Sequence, residues 1–459
     1  MKTLEIYNPF SSEKIAELEC DDKNSIQQKL INAFNSRETL SIEKRKRILL
    51  GANKEILKRK SILAELISKE SGLSIKDTTH EVERVANVAL YCAKVTENIE
   101  DDTTSNYIFS PDAIPELKVI TEPMRLVVGI TPFNHPLNQV AHKVFPAIAA
   151  GAPIIIKPSE KTPLSAIELR KILISSGLPE EKFNIIVGNN PSQTLDDILS
   201  FEDIDMLSFT GGLDVGRLIQ KRMVEKGLGL KKFVPELGGS SSLIICDDAD
   251  INSAVKIALE GCFKNSGQRC TAIRKVIVDK KVKCDFEEQL LEEVKKITFG
   301  DPFISFMGTV IDIPAAIKID SRVQNAIKQG AKKIYGFDRS DALISPTILS
   351  NISLPMEVVD QETFGPICPI IESESFKQSL IIANATKYKL AGAIVTNDFE
   401  KAKHASNFLK VGQFSHNGVP GYRTEMAPFG GFGNSGNGEK EGAYLAARSM
   451  RIIRTFYRH

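Results

Sequence analysis

One cysteine stands in a polar segment flanked by glycine, Gly267-Gln268-Arg269-Cys270-Thr271-Ala272. A mainly apolar run from 272 to 278, which also contains Arg274 and Lys275, predicts a strand directly after the thiol. Structural cysteines usually have aliphatic neighbours, whereas an amide, a guanidinium and a hydroxyl can lower the pKa of a thiol or bind a substrate. The segment therefore suggests a nucleophilic thiol at Cys270, with a structural thiol as the alternative.

Two further side chains have types that suit acyl chemistry. Asn134 lies in a proline-containing loop after a predicted strand at 126–130, where a side-chain amide can hold a developing oxyanion. Glu236 stands between apolar residues and glycines, and burial there would raise its pKa towards the range of a catalytic base. Each has a structural alternative, which is an Asn–Pro turn for Asn134 and a helix or turn cap for Glu236.

Residues that could hold a nucleotide follow two other predicted strands. Lys157 and Glu160 can hydrogen-bond ribose hydroxyls, although a solvated charged turn explains them as well. Gly211 and Gly212 join a predicted strand to a predicted helix, and a helix N-terminus with bare glycines can take a pyrophosphate. The stretch does not read G-x-G-x-x-G, so the common dinucleotide fingerprint is absent.

These residues must be positioned by the elements around them. Short strands alternate with helices after residue 126, and this rhythm predicts a parallel, doubly wound sheet with ligands at the carboxyl ends of its strands. The rhythm repeats after Glu236, so two α/β domains are expected, with a boundary near 231–235. The further elements expected are amphipathic helices at 41–69 and 77–95 and a terminal strand at 449–457 that pairs outside its own domain.

The composition excludes several classes of protein. With 459 residues, 42% hydrophobic and 25% charged, the chain is long enough for two or three globular domains. The 59 Lys and Arg residues nearly cancel the 58 Asp and Glu residues, so neither nucleic acid nor a membrane is an expected partner. Seven cysteines without a CxxC pair argue against a disulfide framework and a zinc site, so no metal is expected. The N-terminus lacks an apolar signal core, so we expect a cytoplasmic protein.

Several short motifs occur in one order along the chain: TPFNHPLNQVAHK (131–143), KPSE (157–160), FTGGLDVG (209–216), ELGG (236–239), GQRC (267–270), ETFGP (362–366) and PFGGFGNSGNG (428–438). In order, type and spacing they resemble the motifs of the aldehyde dehydrogenase superfamily, and the resemblance covers essentially the whole chain. The 34-residue separation of Glu236 and Cys270 is also similar to that family's.

The resemblance implies an α/β fold of two doubly wound parallel-sheet domains with a small β oligomerisation arm. It also implies that the enzyme is a homodimer or homotetramer. The domain bounds that follow are 1–105 and 124–232 for the NAD-binding domain, 233–440 for the catalytic domain, and 106–123 and 445–459 for the arms.

The resemblance also assigns catalytic roles. Cys270 would attack the aldehyde carbon, and the oxyanion would lie between the Asn134 amide and the backbone N–H of Cys270. Loss of hydride to NAD would leave a thioester, which water activated by Glu236 would hydrolyse. Lys143 matches a lysine that is associated with proton relay.

The same comparison implies a nicotinamide cofactor and its ligands. Lys157 and Glu362 match ribose ligands, and Phe364 and Phe429 match aromatic positions near the nicotinamide and the substrate mouth. Glu160 matches the acid that binds the adenosine ribose, and its charge would repel a 2′-phosphate, so NAD is expected with NADP possible. The full set of cofactor residues expected is Thr131, Pro132, Phe133, Lys157, Ser159, Glu160, Gly211, Gly212, Val215, Leu237, Gly238, Glu362 and Phe364.

One position departs from the family's pattern. Where the C-terminal motif commonly runs Gly-x-Gly-Arg-Glu, this chain has Gly436-Asn437-Gly438-Glu439-Lys440. The auxiliary acid of the motif is therefore replaced by Lys440, which puts proton transfer along that route in doubt. Either Glu439 or Glu441 could take its place.

Three cations suggest the class of substrate. His135 follows Asn134, Arg269 precedes Cys270, and Arg84 lies on a helix that by resemblance lines the substrate tunnel. Burying these groups unpaired would be costly, whereas an anionic aldehyde would bind them through charge-assisted hydrogen bonds. We therefore expect a small anionic aldehyde, and the substrate residues expected are Arg84, His135, Arg269, Thr271 and Phe429.

Within the family, the stretch around Asn134 is most similar to phosphonoacetaldehyde dehydrogenases, followed by lactaldehyde and non-phosphorylating glyceraldehyde-3-phosphate dehydrogenases. Three alternatives remain open. Arg84 could pair with Glu81 or Glu83 while Arg269 only packs its stem, and the enzyme would then accept short aldehydes generally, as a lactaldehyde-type enzyme does. A CoA-acylating semialdehyde dehydrogenase is disfavoured by Glu236, which those relatives typically lack. A catalytically silent structural relative is disfavoured by the joint presence of the three catalytic residues.

Overall fold

The computed structural model describes residues 2–36, 38–99 and 116–458 of the chain. Part of the first predicted arm, 106–115, and residues 100–105 lie outside these described residues. None of the helices in the described ranges is long and apolar enough to cross a membrane.

The first sheet of the described chain has five parallel strands. Its central strands consist mainly of valine and isoleucine and are buried on both faces, as expected where helices cover both sides of a parallel sheet. In spatial order the strands are Phe183–Ile185, Ile154–Lys157, Val127–Ile130, Met206–Thr210 and Lys232–Glu236.

The second sheet of the described chain has seven strands, which are parallel except for one antiparallel strand at the edge. The strand after the cysteine segment lies in the middle of this sheet, between the strands that follow Glu236 and Glu362. In spatial order the strands are Lys332–Tyr335, Thr347–Ser350, Ile367–Ser373, Ile273–Asp279, Ser241–Ile245, Ala391–Val395 and Gln413–His416.

Helices cover both sheets and supply most of the remaining core. Polar residues accept backbone N–H bonds at several of their N-termini, for example Ser74, Asp250 and Asp312. The α-helices are Lys23–Asn35, Ile42–Lys58, Lys60–Ser71, Ile75–Asn98, Pro136–Ala150, Leu164–Ser175, Pro191–Leu199, Leu213–Glu225, Ile251–Phe263, Lys283–Val294, Ile313–Lys328, Glu357–Asp360, Phe376–Asn384, Phe399–Leu409 and Ala443–Ser449.

The remaining strands form antiparallel pairs. The longest pair joins Glu116–Pro123 to the C-terminal strand Arg451–Arg458, so the predicted terminal strand does pair outside the two large sheets. The shorter pairs are Thr3–Tyr7 with Lys14–Glu19, Arg339–Ser340 with Leu343–Ile344, and Tyr388–Lys389 with Phe432–Gly433.

Two features of the sheets differ from the expected boundaries. The strand Lys232–Glu236 was not expected, and it pairs with Met206–Thr210, so the predicted boundary at 232/233 falls inside a strand of the first sheet. The helix Ala443–Ser449 covers part of the predicted second arm, yet Ala443 and Ala447 are fully buried in the core around the first sheet. The C-terminal segment therefore returns to the first sheet before it reaches the terminal strand.

Candidate active site

Three predicted catalytic side chains lie along one cleft between the two sheets. We call it the inner cleft; it has a volume of about 340 Å³, and its polar lining residues include Asn134, Gln139, Glu236, Gln268, Cys270 and Glu362. Asn134 and Glu236 follow or end strands of the first sheet, whereas Cys270 immediately precedes the middle strand of the second. The structure thus brings together residues that are up to 136 positions apart in the chain.

The segment before Cys270 turns sharply after the helix Ile251–Phe263. Asn265, Ser266 and Gly267 follow one another with φ of 60°, 52° and 70°, a left-handed conformation that costs about 1–3 kcal/mol at a non-glycine residue. A side chain at Gly267 would place its Cβ 2.1 Å from the carbonyl oxygen of Gly365. The turn is held by the surrounding structure, and it presents Cys270 to the cleft.

Arg274 holds the segment before Cys270 in place through hydrogen bonds. Its guanidinium donates to the carbonyl oxygens of Gly267 at 2.5 Å, of Arg269 at 3.3 Å and of Gly365 at 3.0 Å. The side chain is buried, and burial lowers the pKa of the guanidinium to about 10. One cation therefore joins the segment that carries Cys270 to the segment that follows Phe364.

Asn134 is positioned by a helix that begins just after it. The helix Pro136–Ala150 opens with proline, and the carboxylate of Glu81 accepts the backbone N–H groups of Leu137 and Asn138, each at 2.9 Å. The Asn134 amide donates to the carbonyl oxygen of Gln268 at 2.8 Å. The side chain predicted to hold the oxyanion is thus one hydrogen bond from the cysteine segment.

The thiol of Cys270 is not acidified by its neighbours. Burial raises its pKa to about 12, and the charge of Glu362 adds to the rise, while Arg423 and Arg269 oppose it. Polar neighbours can lower the pKa of a thiol, but at Cys270 desolvation outweighs them. A base must take the thiol proton before Cys270 can act as a nucleophile.

Glu236 lines the same cleft and is a candidate for that base. Burial and the charge of Glu441 raise the pKa of Glu236 well above its usual value. The effect of burial has the direction that we expected from the sequence. Neither carboxylate oxygen of Glu236 has a hydrogen-bond partner among the described residues. The side chain is thus a buried acid with a raised proton affinity.

Lys143 and Glu441 form a buried ion pair behind Glu236. The Lys143 ammonium lies 2.8 Å from Glu441 Oε1 and donates to Ser208 Oγ at 2.8 Å. Although burial raises the pKa of Glu441, the charge and hydrogen bond of Lys143 lower it below its ordinary value. Glu441 therefore carries its charge at neutral pH and faces Lys143.

The ion pair clarifies the departure at Lys440. The Glu439 carboxylate lies 3.6 Å from the Lys232 ammonium and is half-exposed, and Lys440 binds the carbonyl oxygen of Gly430. Of the two acids that the sequence left open, Glu441 is the one that the structure buries beside Lys143.

A second space, which we call the outer cavity, has a volume of about 310 Å³ and adjoins the helix Ile75–Asn98. Two predicted substrate residues in it are already paired: Arg84 Nε donates to Glu425 Oε1 at 2.6 Å, and His135 Nδ1 lies 3.3 Å from Glu81 Oε2. A third, Arg269, donates to the carbonyl oxygen of Glu260 at 2.6 Å. The charged residues that line the outer cavity include Asp77, Glu81, Arg84, Glu260, Lys264, Arg269, Arg423 and Glu425.

Arg423 and Glu425 were missed by the sequence analysis. The guanidinium of Arg423 lies 3.9 Å from the ring centre of Phe429, and its buried Nη1 has no hydrogen-bond partner among the described residues. Two charged residues shortly before the C-terminal glycine motif were the only signal in the sequence. The other predicted substrate residue, Thr271, packs against Gly421 beside this loop.

The family can be assigned from the whole chain. A model of the aldehyde dehydrogenase family matches residues 1–453. The chain belongs to the aldehyde dehydrogenase family. The predicted family, fold class and enzyme class are confirmed.

Relatives of this aldehyde dehydrogenase cover nearly its full length. It is 35% identical to a lactaldehyde dehydrogenase of Methanococcus vannielii over 99% of this chain and 97% of the relative. It is 31% identical to a 3-sulfolactaldehyde dehydrogenase of Priestia aryabhattai over 98% of this chain and 94% of the relative.

Solved structures extend the comparison to the cofactor. A betaine aldehyde dehydrogenase of Staphylococcus aureus in complex with NAD+ matches with a TM-score of 0.93 and 30% identity, over 99% of this chain and 91% of that one. The glyceraldehyde-3-phosphate dehydrogenase GapN of Methanocaldococcus jannaschii, complexed with NADP, matches with a TM-score of 0.92 and 32% identity, over 99% and 98%. The prediction of a nicotinamide cofactor, NAD or NADP, is thereby confirmed.

The dehydrogenase's own residues fit such a cofactor. Gly212 precedes the helix Leu213–Glu225, and a side chain there would meet no atom within 4 Å, which leaves the helix N-terminus open to a pyrophosphate. Lys157 Nζ lies 3.1 Å from Glu160 Oε2, and the two groups offer a donor and an acceptor for ribose hydroxyls. The predicted cofactor residues that line the inner cleft are Pro132, Phe133, Gly211, Gly212, Leu237, Gly238, Glu362 and Phe364.

The remaining predicted cofactor residues do not line that cleft. Thr131, Lys157 and Ser159 are buried at the ends of the first sheet, Glu160 is half-buried, and Val215 is exposed on the helix after Gly212. They lie on the strand ends and helix start where the adenosine half of the cofactor is expected, and their roles stay predictions.

Proposed function

We propose that this dehydrogenase oxidises a small anionic aldehyde to its carboxylic acid, with Cys270 as the nucleophile. The observation that carries the proposal is that Cys270, Asn134 and Glu236 converge on one cleft. Each is a group of the type that acyl chemistry needs: a thiol, an amide donor and a buried carboxylate of raised proton affinity.

In the first step Glu236 takes the proton of the Cys270 thiol, whose pKa of about 12 keeps it protonated at neutral pH. The sulfur then attacks the aldehyde carbon and forms a thiohemiacetal. The Asn134 amide and the backbone N–H of Cys270 stabilise the negative oxygen, because they meet charge that appears only as the bond forms.

When bound, NAD or NADP accepts the hydride that leaves the thiohemiacetal. Lys157, Glu160 and Glu362 would hold its ribose groups, and Phe364 would lie beside the nicotinamide. We infer from the charge of Glu160 that NAD is preferred, because a carboxylate repels the 2′-phosphate of NADP.

Hydrolysis of the Cys270 thioester completes the reaction. Glu236 removes a proton from the attacking water, and the thiolate of Cys270 leaves. Lys143 and Glu441 stand behind Glu236 as a charged pair, and we propose that they pass its proton onward to solvent.

The anionic substrate is supported by Arg423, whose buried Nη1 has no protein partner among the described residues. A carboxylate, sulfonate or phosphonate would supply the missing acceptors. The name of one relative, 3-sulfolactaldehyde dehydrogenase, points to the same class.

A second candidate is an enzyme for uncharged short aldehydes, like the lactaldehyde dehydrogenase relative. It is favoured by the pairing of Arg84 with Glu425, which satisfies that cation without a ligand. Arg269 is bound in part, since its Nη2 donates to a carbonyl oxygen while its buried Nε has no hydrogen-bond partner among the described residues. A CoA-acylating reaction is less well supported, because the buried Glu236 suits the activation of water.

Initial rates of NAD and NADP reduction with several aldehydes test the proposal. The aldehydes are phosphonoacetaldehyde, sulfoacetaldehyde, glyceraldehyde-3-phosphate, succinic semialdehyde, lactaldehyde and propanal. We expect kcat/KM for the best anion to exceed that for propanal by about a hundredfold, which is about 2.7 kcal/mol of transition-state preference. Equal values for propanal and the anions would contradict the anionic class but leave the dehydrogenase chemistry intact.

We also propose that copies of the chain associate through the pair of strands Glu116–Pro123 and Arg451–Arg458. Ile453, Phe456 and Tyr457 on this pair are at least half exposed, an arrangement typical of a surface that another subunit covers. Sedimentation of the wild type and of Phe456→Glu tests this, and a monomeric wild type would contradict it.

Three further expectations stay predictions: the choice between dimer and tetramer, the domain bounds and a cytoplasmic location.

A further inference from the structure

Glu425 is a buried carboxylate that the proposed reaction does not use. Its Oε1 accepts Arg84 Nε at 2.6 Å, and its Oε2 accepts Arg84 Nη2 at 3.3 Å. His142 Nε2, on the neighbouring helix, lies 2.8 Å from Oε2. The carboxylate thus already binds Arg84 in the bidentate geometry that Arg84 would otherwise offer to an anionic ligand.

Arg423, two residues before Glu425, is not bound in this way. Its buried Nη1 has no hydrogen-bond partner among the described residues, and its guanidinium lies over the Phe429 ring at 3.9 Å. It lines the outer cavity, and its charge lowers the pKa of both the Cys270 thiol and the Glu236 carboxylate. It is therefore the cation best situated to receive the far end of a short substrate.

The charges at this end of the cavity can be compared directly. Arg84 and Arg423 are cationic and Glu425 is anionic, while burial lowers the pKa of His142 and favours its neutral form. Of the other charged side chains of the cavity, Lys264 lies 3.6 Å from Glu260 and Arg269 is attracted by Asp77. Glu81 accepts two backbone N–H groups of the neighbouring helix. The local group of Arg84, Arg423 and Glu425 therefore has one more positive than negative charge.

We propose that Glu425 sets the charge of the substrate that this enzyme accepts. By binding Arg84 it leaves one guanidinium, that of Arg423, for the substrate. The cavity then favours aldehydes with a singly charged head group, such as a sulfonate or a carboxylate, over those with a doubly charged phosphonate or phosphate. A second negative charge would lie close to Glu425 without a cation of its own and would be desolvated at a cost.

This inference rests on the proposed anionic substrate. Three aldehydes of similar shape distinguish a failure of the inference from a failure of that proposal. Sulfoacetaldehyde, phosphonoacetaldehyde and 3,3-dimethylbutanal carry a singly charged, a doubly charged and an uncharged head group at alkaline pH. For the wild type we expect kcat/KM for the sulfonate to exceed that for the phosphonate at least tenfold, and both anions to exceed the neutral aldehyde. A phosphonate equal to or better than the sulfonate would overturn the inference alone.

If kcat/KM for neither anion exceeds that for 3,3-dimethylbutanal while the aldehydes are still oxidised, the proposal of an anionic substrate fails and the inference fails with it. Because that comparison uses the wild type, it does not depend on whether a variant folds.

Variants at Glu425 then test the cause. Glu425→Gln should lower the sulfonate-to-phosphonate ratio at least tenfold, chiefly by raising kcat/KM for the phosphonate, because Arg84 is released. Glu425→Asp keeps the charge and should keep the preference for the sulfonate. Glu83→Gln removes the same charge one residue from Arg84, but Glu83 is exposed and lies 3.0 Å from Lys60, so the ratio should not change. An unchanged ratio in Glu425→Gln, or an equal change in Glu83→Gln, would overturn the inference.

Discussion

The inner cleft and the outer cavity are built in opposite ways. In the inner cleft the reactive groups have few partners: Glu236 has none among the described residues, and the Cys270 thiol is held protonated by burial. In the outer cavity most charged groups are already paired, as Arg84 is with Glu425 and His135 is with Glu81. Unpartnered groups are free to bind a changing reactant, whereas paired groups mainly fix the shape and the charge of the wall.

This difference makes a general prediction about variants. Changes in the inner cleft should reduce activity towards every aldehyde alike, because they act on the aldehyde carbon that all substrates share. Changes in the outer cavity should alter the ratio between charged and uncharged aldehydes and leave the chemistry in place.

The largest effect is expected for Cys270→Ala. Without the sulfur no thiohemiacetal forms, so NADH formation should fall about 10⁴-fold or more for anionic and neutral aldehydes alike. Binding of NAD, measured by isothermal titration calorimetry, should persist. Residual turnover that depends on the charge of the aldehyde would contradict the comparison.

Glu236→Gln should separate the two half-reactions. Steady-state turnover should fall about 10²–10⁴-fold because no base activates water. One NADH per active site should still form in the first turnover, and the rate of this burst should rise about tenfold per pH unit. The sign follows from the raised pKa of Cys270, about 12, since the thiolate fraction grows with pH throughout the range below it. The absence of a burst at every accessible pH would show that Glu236 is needed for more than proton removal.

The sequence alone predicted the inner cleft much better than the outer cavity. Cys270, Asn134 and Glu236 stand in short motifs at the ends of strands, and the resemblance of these motifs to those of the family assigned the three residues to one reaction. Arg84 and Glu425 are 341 residues apart, and no local pattern links a helix to a distant loop. The pKa of Cys270 could not be predicted from the sequence, because burial is a property of the folded chain.

The fold shows the same limit. Buried strands such as Ile154–Lys157 were predicted from their apolar runs, while Lys332–Tyr335, at the sheet edge, starts with two exposed lysines and was missed. Lys232–Glu236 was missed for a related reason, since its first two residues are only half-buried. The choice between Glu439 and Glu441 likewise needed the path of the chain around Gly430.

Lys143→Met and Glu441→Gln should have intermediate and shared effects. If the two residues pass a proton from Glu236, each change should lower kcat about 10–100-fold for all aldehydes, and the double variant should lose little more than either single one. Lys143→Met also leaves the Glu441 carboxylate buried without its partner, so the thermal stability must be measured alongside kcat. Fully additive losses, or losses confined to anionic aldehydes, would contradict a shared role in the inner cleft.

The smallest effect on substrate choice is expected for Arg269→Met, although this arginine adjoins Cys270. Its Nη2 donates to the carbonyl oxygens of Glu260 and Gly261 at 2.6 and 3.3 Å, so this end of the guanidinium is already bound by the protein. Losing these bonds should cost about 1–3 kcal/mol of unfolding free energy, measured by denaturant titration. The ratio of kcat/KM for sulfoacetaldehyde to that for propanal should change less than about threefold, whereas Arg423→Leu should lower it at least about tenfold. A large fall of the ratio in Arg269→Met would show that the pairing seen in the outer cavity gives way when a substrate binds.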